Sequence, residues 1–171
     1  GRKFLAYASE SNLKEVTLEM GGKNPAVVLD DAENLDRVAA HVVNGAFWNM
    51  GENCSATSRL IVHKAVKDAL LERMTHHVKE WNVGDPLDPR TRVGALVSPA
   101  HFKKVSSYLD QVGPGEKILL GGNTHHGAFV EPTIVQVANN QSVLAREEIF
   151  GPVLSVIEVG SFDEAIAVGN D

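Results

Sequence analysis

Short apolar runs alternate with helical periodicities along this chain, and that alternation constrains the fold more than any other feature. Residues 25–30 form a brief apolar run that suits a strand buried on both faces. Leu35, Val38, Ala39, Val42, Val43, Ala46 and Phe47 then fall on one helical face, with Asp31 or Asn34 placed to cap its start and Gly51 just past its end. Residues 59–63 read as the next strand, and Val66, Ala69, Leu70, Met74, Val78 and Trp81 as the next helix. Pro86 and Pro89 stiffen the loop at 85–89. A helix over 99–112 ends at Gly113-Pro114-Gly115; strands follow at 117–120 and 129–137, with a turn at 121–123 between them. Residues 153–159 form another buried strand, and Phe162 opens a last helix. Val16-Thr17-Leu18 reads as a strand entering a loop that carries Glu19. Strand alternating with helix favours a layered α/β domain with a largely parallel sheet.

Hydrophobic residues make up 43% of the chain and charged ones 22%, as in ordinary globular proteins. The net charge of −6 and the scattered lysines and arginines argue against nucleic acid or an anionic membrane surface as partner. No apolar run approaches the roughly 20 residues that span a bilayer. With no secretory signal visible and a single cysteine, the composition suits a reducing, cytoplasmic setting. The chain opens on Gly1 and stops abruptly after the apolar periodic stretch at 162–168, and so reads as a piece of a longer protein.

The single cysteine, Cys54, sits in Gly51-Glu52-Asn53-Cys54-Ser55. One thiol cannot form an internal disulfide or fill a structural zinc site. A free cysteine alone is more often a small buried hydrophobe than a nucleophile. Its polar neighbours and its place after a helix, behind a glycine, point instead to a cleft. Two further unusual segments accompany it, Glu19-Met20-Gly21-Gly22-Lys23-Asn24-Pro25 and Glu148-Ile149-Phe150-Gly151-Pro152-Val153.

Together these three segments, in this order and spacing, resemble the signatures of the NAD(P)-dependent aldehyde dehydrogenase superfamily. The resemblance covers essentially the whole chain. It implies a three-layer αβα catalytic domain over residues 19–171, cut short at its C-terminus, with residues 1–18 ending the cofactor-binding domain as a crossover strand. It makes Cys54 the nucleophile that adds to the aldehyde, and Glu19 the base that activates thiol and water. Glu148 and Phe150, with Met20 and Gly21, become contacts to NAD or NADP, while Trp48, Asn53 and Ser55 line the aldehyde channel. A free carboxylic acid is the implied product, since relatives that acylate coenzyme A commonly lack the Glu19 carboxylate. The stretch Phe47-Trp48-Asn49-Met50-Gly51-Glu52-Asn53-Cys54 looks most like the branch acting on ω-amino or guanidino aldehydes from polyamine breakdown. Family members are usually homodimers or homotetramers.

The backbone N–H of Cys54 can supply one oxyanion donor. The family's second donor and its nucleotide-binding half would lie before Gly1, so these 171 residues alone are expected to be inactive. A thiol esterase is the alternative enzyme, and a binding or structural module on the same fold the alternative outside catalysis. No metal is expected: His76-His77 and His125-His126 lack ligand spacing, the latter pair falling in a loop, and His41 and His63 suit structural hydrogen bonds. If Cys54 and Glu19 share a site, their loops should converge on one edge of the sheet, near the C-terminal ends of its strands.

Overall fold

The computed structural model describes residues 1–171. Its strands are Asn24–Val28 (β1), Thr57–His63 (β2), Lys117–Leu120 (β3), Thr124–His125 (β4), Phe129–Val130 (β5), Thr133–Gln136 (β6) and Val153–Val159 (β7). Its helices are Arg2–Ser9 (α1), Leu35–Phe47 (α2), Lys64–Val78 (α3), Pro99–Leu109 (α4), Val143–Arg146 (α5) and Phe162–Asn170 (α6). A five-stranded sheet runs in the order β1-β2-β7-β6-β3, and β4 pairs with β5 in a separate hairpin. Strands β1, β2, β7 and β6 are mutually parallel, while β3 joins β6 antiparallel.

Alternation along the strands divides the core in two. Leu60, Val62, Leu154 and Val156 face a cluster with Val43 and Phe47 of α2 and Leu70 and Met74 of α3. Ile61, Val135 and Ile157 point the other way, onto Val105 of α4, Leu144 of α5 and Ala165 of α6. Helices therefore cover both faces of a mainly parallel sheet, the three-layer αβα arrangement.

Local choices follow side-chain chemistry. Asn34, not Asp31, caps α2, its Oδ1 accepting the Arg37 N–H at 3.0 Å. His63 caps α3 through the Ala65 N–H at 3.3 Å. Helix α3 stops at Val78; Trp81 lies in the next loop, still buried, edge-on to Phe47 at 6.2 Å. Helix α4 likewise ends at Leu109, short of Val112. The strand expected over 129–137 is interrupted at Pro132, which has no N–H for a ladder, so β5 turns back on β4 while β6 joins the main sheet. His125 thus lies in a strand rather than a loop, and His126 sits in the turn with φ 51°. The crossover strand expected over residues 1–18 is absent: Arg2–Ser9 form α1, and residues 13–23, Val16-Thr17-Leu18 among them, run without the ladder partners that define a strand.

A larger correction concerns where the site lies. The segments at 19–23, 51–56 and 147–152 each lead directly into a strand, β1, β2 and β7 respectively. These strands are parallel neighbours, with Asn24 opposite Thr57 and Arg59 opposite Ser155. Parallel pairing therefore gathers the three segments at the N-terminal ends of the strands, not the C-terminal ends. Each motif precedes its strand, and that order alone decides which end they occupy.

Candidate active site

Between α2 and Cys54 the chain takes an unusual course. Asn49, Met50 and Gly51 are successive left-handed residues, with φ of 53°, 57° and 68°. The left-handed conformation costs a non-glycine residue roughly 1–2 kcal/mol, so the surroundings must hold it. Asn49 helps by donating its amide to the Glu52 carbonyl at 2.9 Å. Gly51 has no substitute: an added Cβ would collide with the Gly151 carbonyl. The loop bearing Cys54 and the segment before β7 thus touch backbone to backbone.

Cys54 stands exposed on this turn. Asn24, the first residue of β1, donates to the Cys54 carbonyl at 2.8 Å and to the Ala56 carbonyl at 3.4 Å. Asn53 receives the Ser55 N–H and hydroxyl, each at 3.2 Å, and its Oδ1 lies 3.8 Å from the Cys54 Sγ. The Cys54 backbone N–H donates to no group of the protein. A fixed carbonyl on one side and a free N–H on the other leave the thiol accessible beside an unused donor.

The third segment closes against the first. The Gly22 N–H donates to Glu148 Oε1 at 2.9 Å, and a Cβ on Gly21 would displace the Glu148 carboxylate. Lys104 of α4 donates to the Glu148 carbonyl at 3.0 Å. Phe150, half-buried, is itself left-handed with φ 60°, and its carbonyl lies 2.6 Å from His101 Nε2. Gly22, Gly51, Asn53, Glu148 and Phe150 together line one small crevice. Glu19, Met20, Trp48, Cys54 and Ser55 are exposed and do not line it. Met20 lies against Gly1 at the start of α1. Trp48 is 58% exposed, which removes the core-packing explanation for a tryptophan at this helix end.

Residues that no single motif announces complete the arrangement. Arg59 of β2 is buried; its guanidinium donates to the Lys23 carbonyl at 3.0 Å, Asn140 Oδ1 at 2.9 Å and the Val168 and Gly169 carbonyls at 3.0 Å. It thereby fixes the Gly21-Gly22-Lys23 loop to the sheet and to the end of α6. Lys23 Nζ is sealed from solvent without a hydrogen-bond partner. Burial, reinforced by the charge of Arg59, pulls its pKa down to about 8, although Glu148 and Glu147 oppose the shift. No cluster of three or more His, Cys, Asp or Glu is arranged to hold a metal ion.

The aldehyde dehydrogenase family profile matches residues 1–171. The chain belongs to the aldehyde dehydrogenase family. Within this family it is similar to aminoacetaldehyde dehydrogenase of Pseudomonas aeruginosa, with 64% identity over all of this chain and 35% of that protein. Its fold is similar to the crystal structure of the aldehyde dehydrogenase KauB from Pseudomonas aeruginosa, at TM-score 0.93 and 43% identity. An indole-3-acetaldehyde dehydrogenase solved with NAD+ is also similar, at TM-score 0.93 and 41% identity. Both structural alignments cover 99% of this chain and 35% of the other. The chain spans about a third of the length of the relatives it matches.

Proposed function

We propose that the complete protein is an NAD(P)-dependent aldehyde dehydrogenase in which Cys54 attacks the aldehyde and Glu19 serves as base. The observation that carries this reading is the exposed Cys54 thiol beside its own free N–H, on a turn held by Asn24 and Gly51 against both other motif segments. Attack of the thiolate on the carbonyl carbon forms a C–S bond and places negative charge on oxygen. The Cys54 N–H is available to stabilise that charge. Bound NAD(P)+ would supply the hydride acceptor; loss of hydride from the thiohemiacetal carbon leaves Cys54 carrying a thioester. Glu19 removes a proton from water, the hydroxide adds to the thioester, and carbon–sulfur cleavage releases the acid and restores the thiol. Glu19 is exposed on an unpaired segment, which leaves it accessible to water.

The residues fit a dinucleotide. Gly22 occupies Glu148 Oε1 and leaves Oε2 open to accept from a ribose diol, next to the half-exposed ring of Phe150. Gly21 serves by admitting the Glu148 carboxylate. The bound NAD+ of the indole-3-acetaldehyde enzyme is consistent with this assignment. Trp48, exposed at the end of α2, with Asn53 and Ser55 beside the thiol, supports an aldehyde channel at this surface. Similarity to an aminoacetaldehyde dehydrogenase supports an ω-amino aldehyde as substrate. Helix α1 buries none of its residues and exposes Phe4, Leu5 and Tyr7, which supports residues 1–18 as the end of a neighbouring cofactor domain.

Two variants of the complete protein test the roles. Cys54→Ala should lower aldehyde oxidation and ester hydrolysis together by more than about 10³-fold. Glu19→Gln should retain a first burst of reduced cofactor and lose later turnovers. Near-normal rates in Cys54→Ala would refute the mechanism; loss of the burst in Glu19→Gln would move Glu19 to thiol activation.

A further inference from the structure

Phe150 is a bulky residue held left-handed on the edge of the crevice, a conformation that persists only where the surroundings impose it. Its carbonyl oxygen is an acceptor only, so His101 Nε2, 2.6 Å away, carries the proton and donates it. The same nitrogen lies 3.3 Å from Glu52 Oε1. Both side chains are largely buried, His101 being 15% and Glu52 9% exposed. Glu52 Oε1 also accepts the Val97 N–H at 3.0 Å, which fixes the carboxylate from the loop before α4. The His101 and Phe150 rings meet edge to face at 6.1 Å, so packing and hydrogen bonding favour one placement. Glu52 lies two positions before Cys54, and its neighbour Gly51 already abuts Gly151. Residues 51–52 and 150–151 are thus joined twice, once through backbone contact and once through an imidazole.

We propose that His101, oriented by Glu52, is a positioning residue that holds Phe150 in its left-handed conformation and so locks the crevice-lining loop to the loop bearing Cys54. The positioning itself stands on the hydrogen-bond geometry; its consequence for turnover rests on the dehydrogenase reading above. In a polar, partly dry site a buried acid can orient an imidazole tautomer, and the imidazole can then fix a backbone carbonyl that no other donor reaches. Phe150 would otherwise relax towards the right-handed or extended region, swinging its ring away from the edge of the crevice and loosening the Gly151 contact. His101 touches neither Cys54 nor any reacting atom in this arrangement, so it acts only through Phe150.

Backbone amide exchange on the complete protein tests the positioning without relying on activity. His101→Ala should speed exchange of the Val153 N–H, which bonds the Gly151 carbonyl at 2.7 Å, about tenfold while β2 and the rest of β7 keep their protection. His101→Gln, whose amide can donate to the same carbonyl, should restore slow exchange. Should the alanine variant open β2 as well, His101→Asn replaces it, since its shorter amide falls short of the Phe150 carbonyl at similar bulk. Unchanged exchange of the Val153 N–H in the variant so chosen, or fast exchange in His101→Gln with β2 protected, would overturn the proposal. Kinetics then separate the two readings. The alanine variant should raise the NAD KM about tenfold with little change in the aldehyde KM, and the glutamine variant should bring it back. Faster exchange with an unchanged NAD KM would leave the positioning role standing and overturn the assignment of Phe150 to the cofactor.

Discussion

The crevice between the motif segments and the wide groove beside β3 differ in what they leave unsatisfied. The groove encloses about 940 Å³ and is lined by Trp81, Gly84, Leu120, His125, Phe129 and Pro132 among others. Its glutamate is satisfied: His125 and Asn123 both bond Glu131 at 2.9 Å. The crevice is far smaller, yet around it stand an exposed thiol with a free N–H, a buried amine without a partner and left-handed residues on both sides. Volume marks where something can fit. The groove has left-handed residues too, His126 and Gly121, so it is the unsatisfied donors and the exposed thiol that single out the smaller feature.

Three substitutions probe that contrast. Trp81→Ala should destabilise the domain by about 3–5 kcal/mol, because the indole is 8% exposed, packs on Phe47 and lies under Arg92 at 5.7 Å. Denaturant unfolding measures this, and Cys54 alkylation below the transition should proceed at the parent rate. A large loss of thiol reactivity in a folded Trp81→Ala chain would erase the distinction between the two regions.

Lys23 tests the crevice from the stability side. Its amine holds a proton up to about 8 in the fold and up to about 10.5 when unfolded. Between these values the unfolded chain binds more protons, so this residue makes stability rise with pH across that window. Below pH 8 burial of the charged amine is a standing cost. Lys23→Met should therefore stabilise the chain at pH 7 by on the order of 2 kcal/mol and flatten its rise in stability between pH 8 and 10.5. An unaltered pH profile would mean that the amine is not strained.

The smallest effect belongs to the groove. His125, with help from Asn123, holds the Glu131 carboxyl below its usual range. That stabilisation is present above the ordinary carboxylate pKa and is lost as the pH falls through the depressed value. His125→Ala should cost under about 1 kcal/mol at neutral pH, with turnover of the complete protein unchanged.

Much of this molecule was legible in the sequence, but unevenly. The alternation of apolar runs and helical faces yields the layered sheet, because burial on two faces and burial on one stripe leave different periods. The three motif segments were legible too, each marked by glycines and a polar residue before an apolar run. Which end of the sheet they share was not, since that depends on the parallel pairing of β1, β2 and β7 rather than on any local pattern. Pro132 was a readable signal for the break between β5 and β6. The Glu52–His101–Phe150 bridge could not be read, because it joins positions brought together only when α4 packs against the segment before β7. Burial of Lys23 escaped for the same reason: the arginine beside it comes from another strand.

The most direct measurement traps the thioester. Complete Glu19→Gln protein, mixed with an ω-amino aldehyde and NAD and quenched in acid, should carry an acyl group on the peptide containing Cys54. The modification should equal the burst of reduced cofactor and vanish when Cys54 is also replaced by serine. A full burst with unmodified Cys54, or with the acyl group on another residue, would contradict the account.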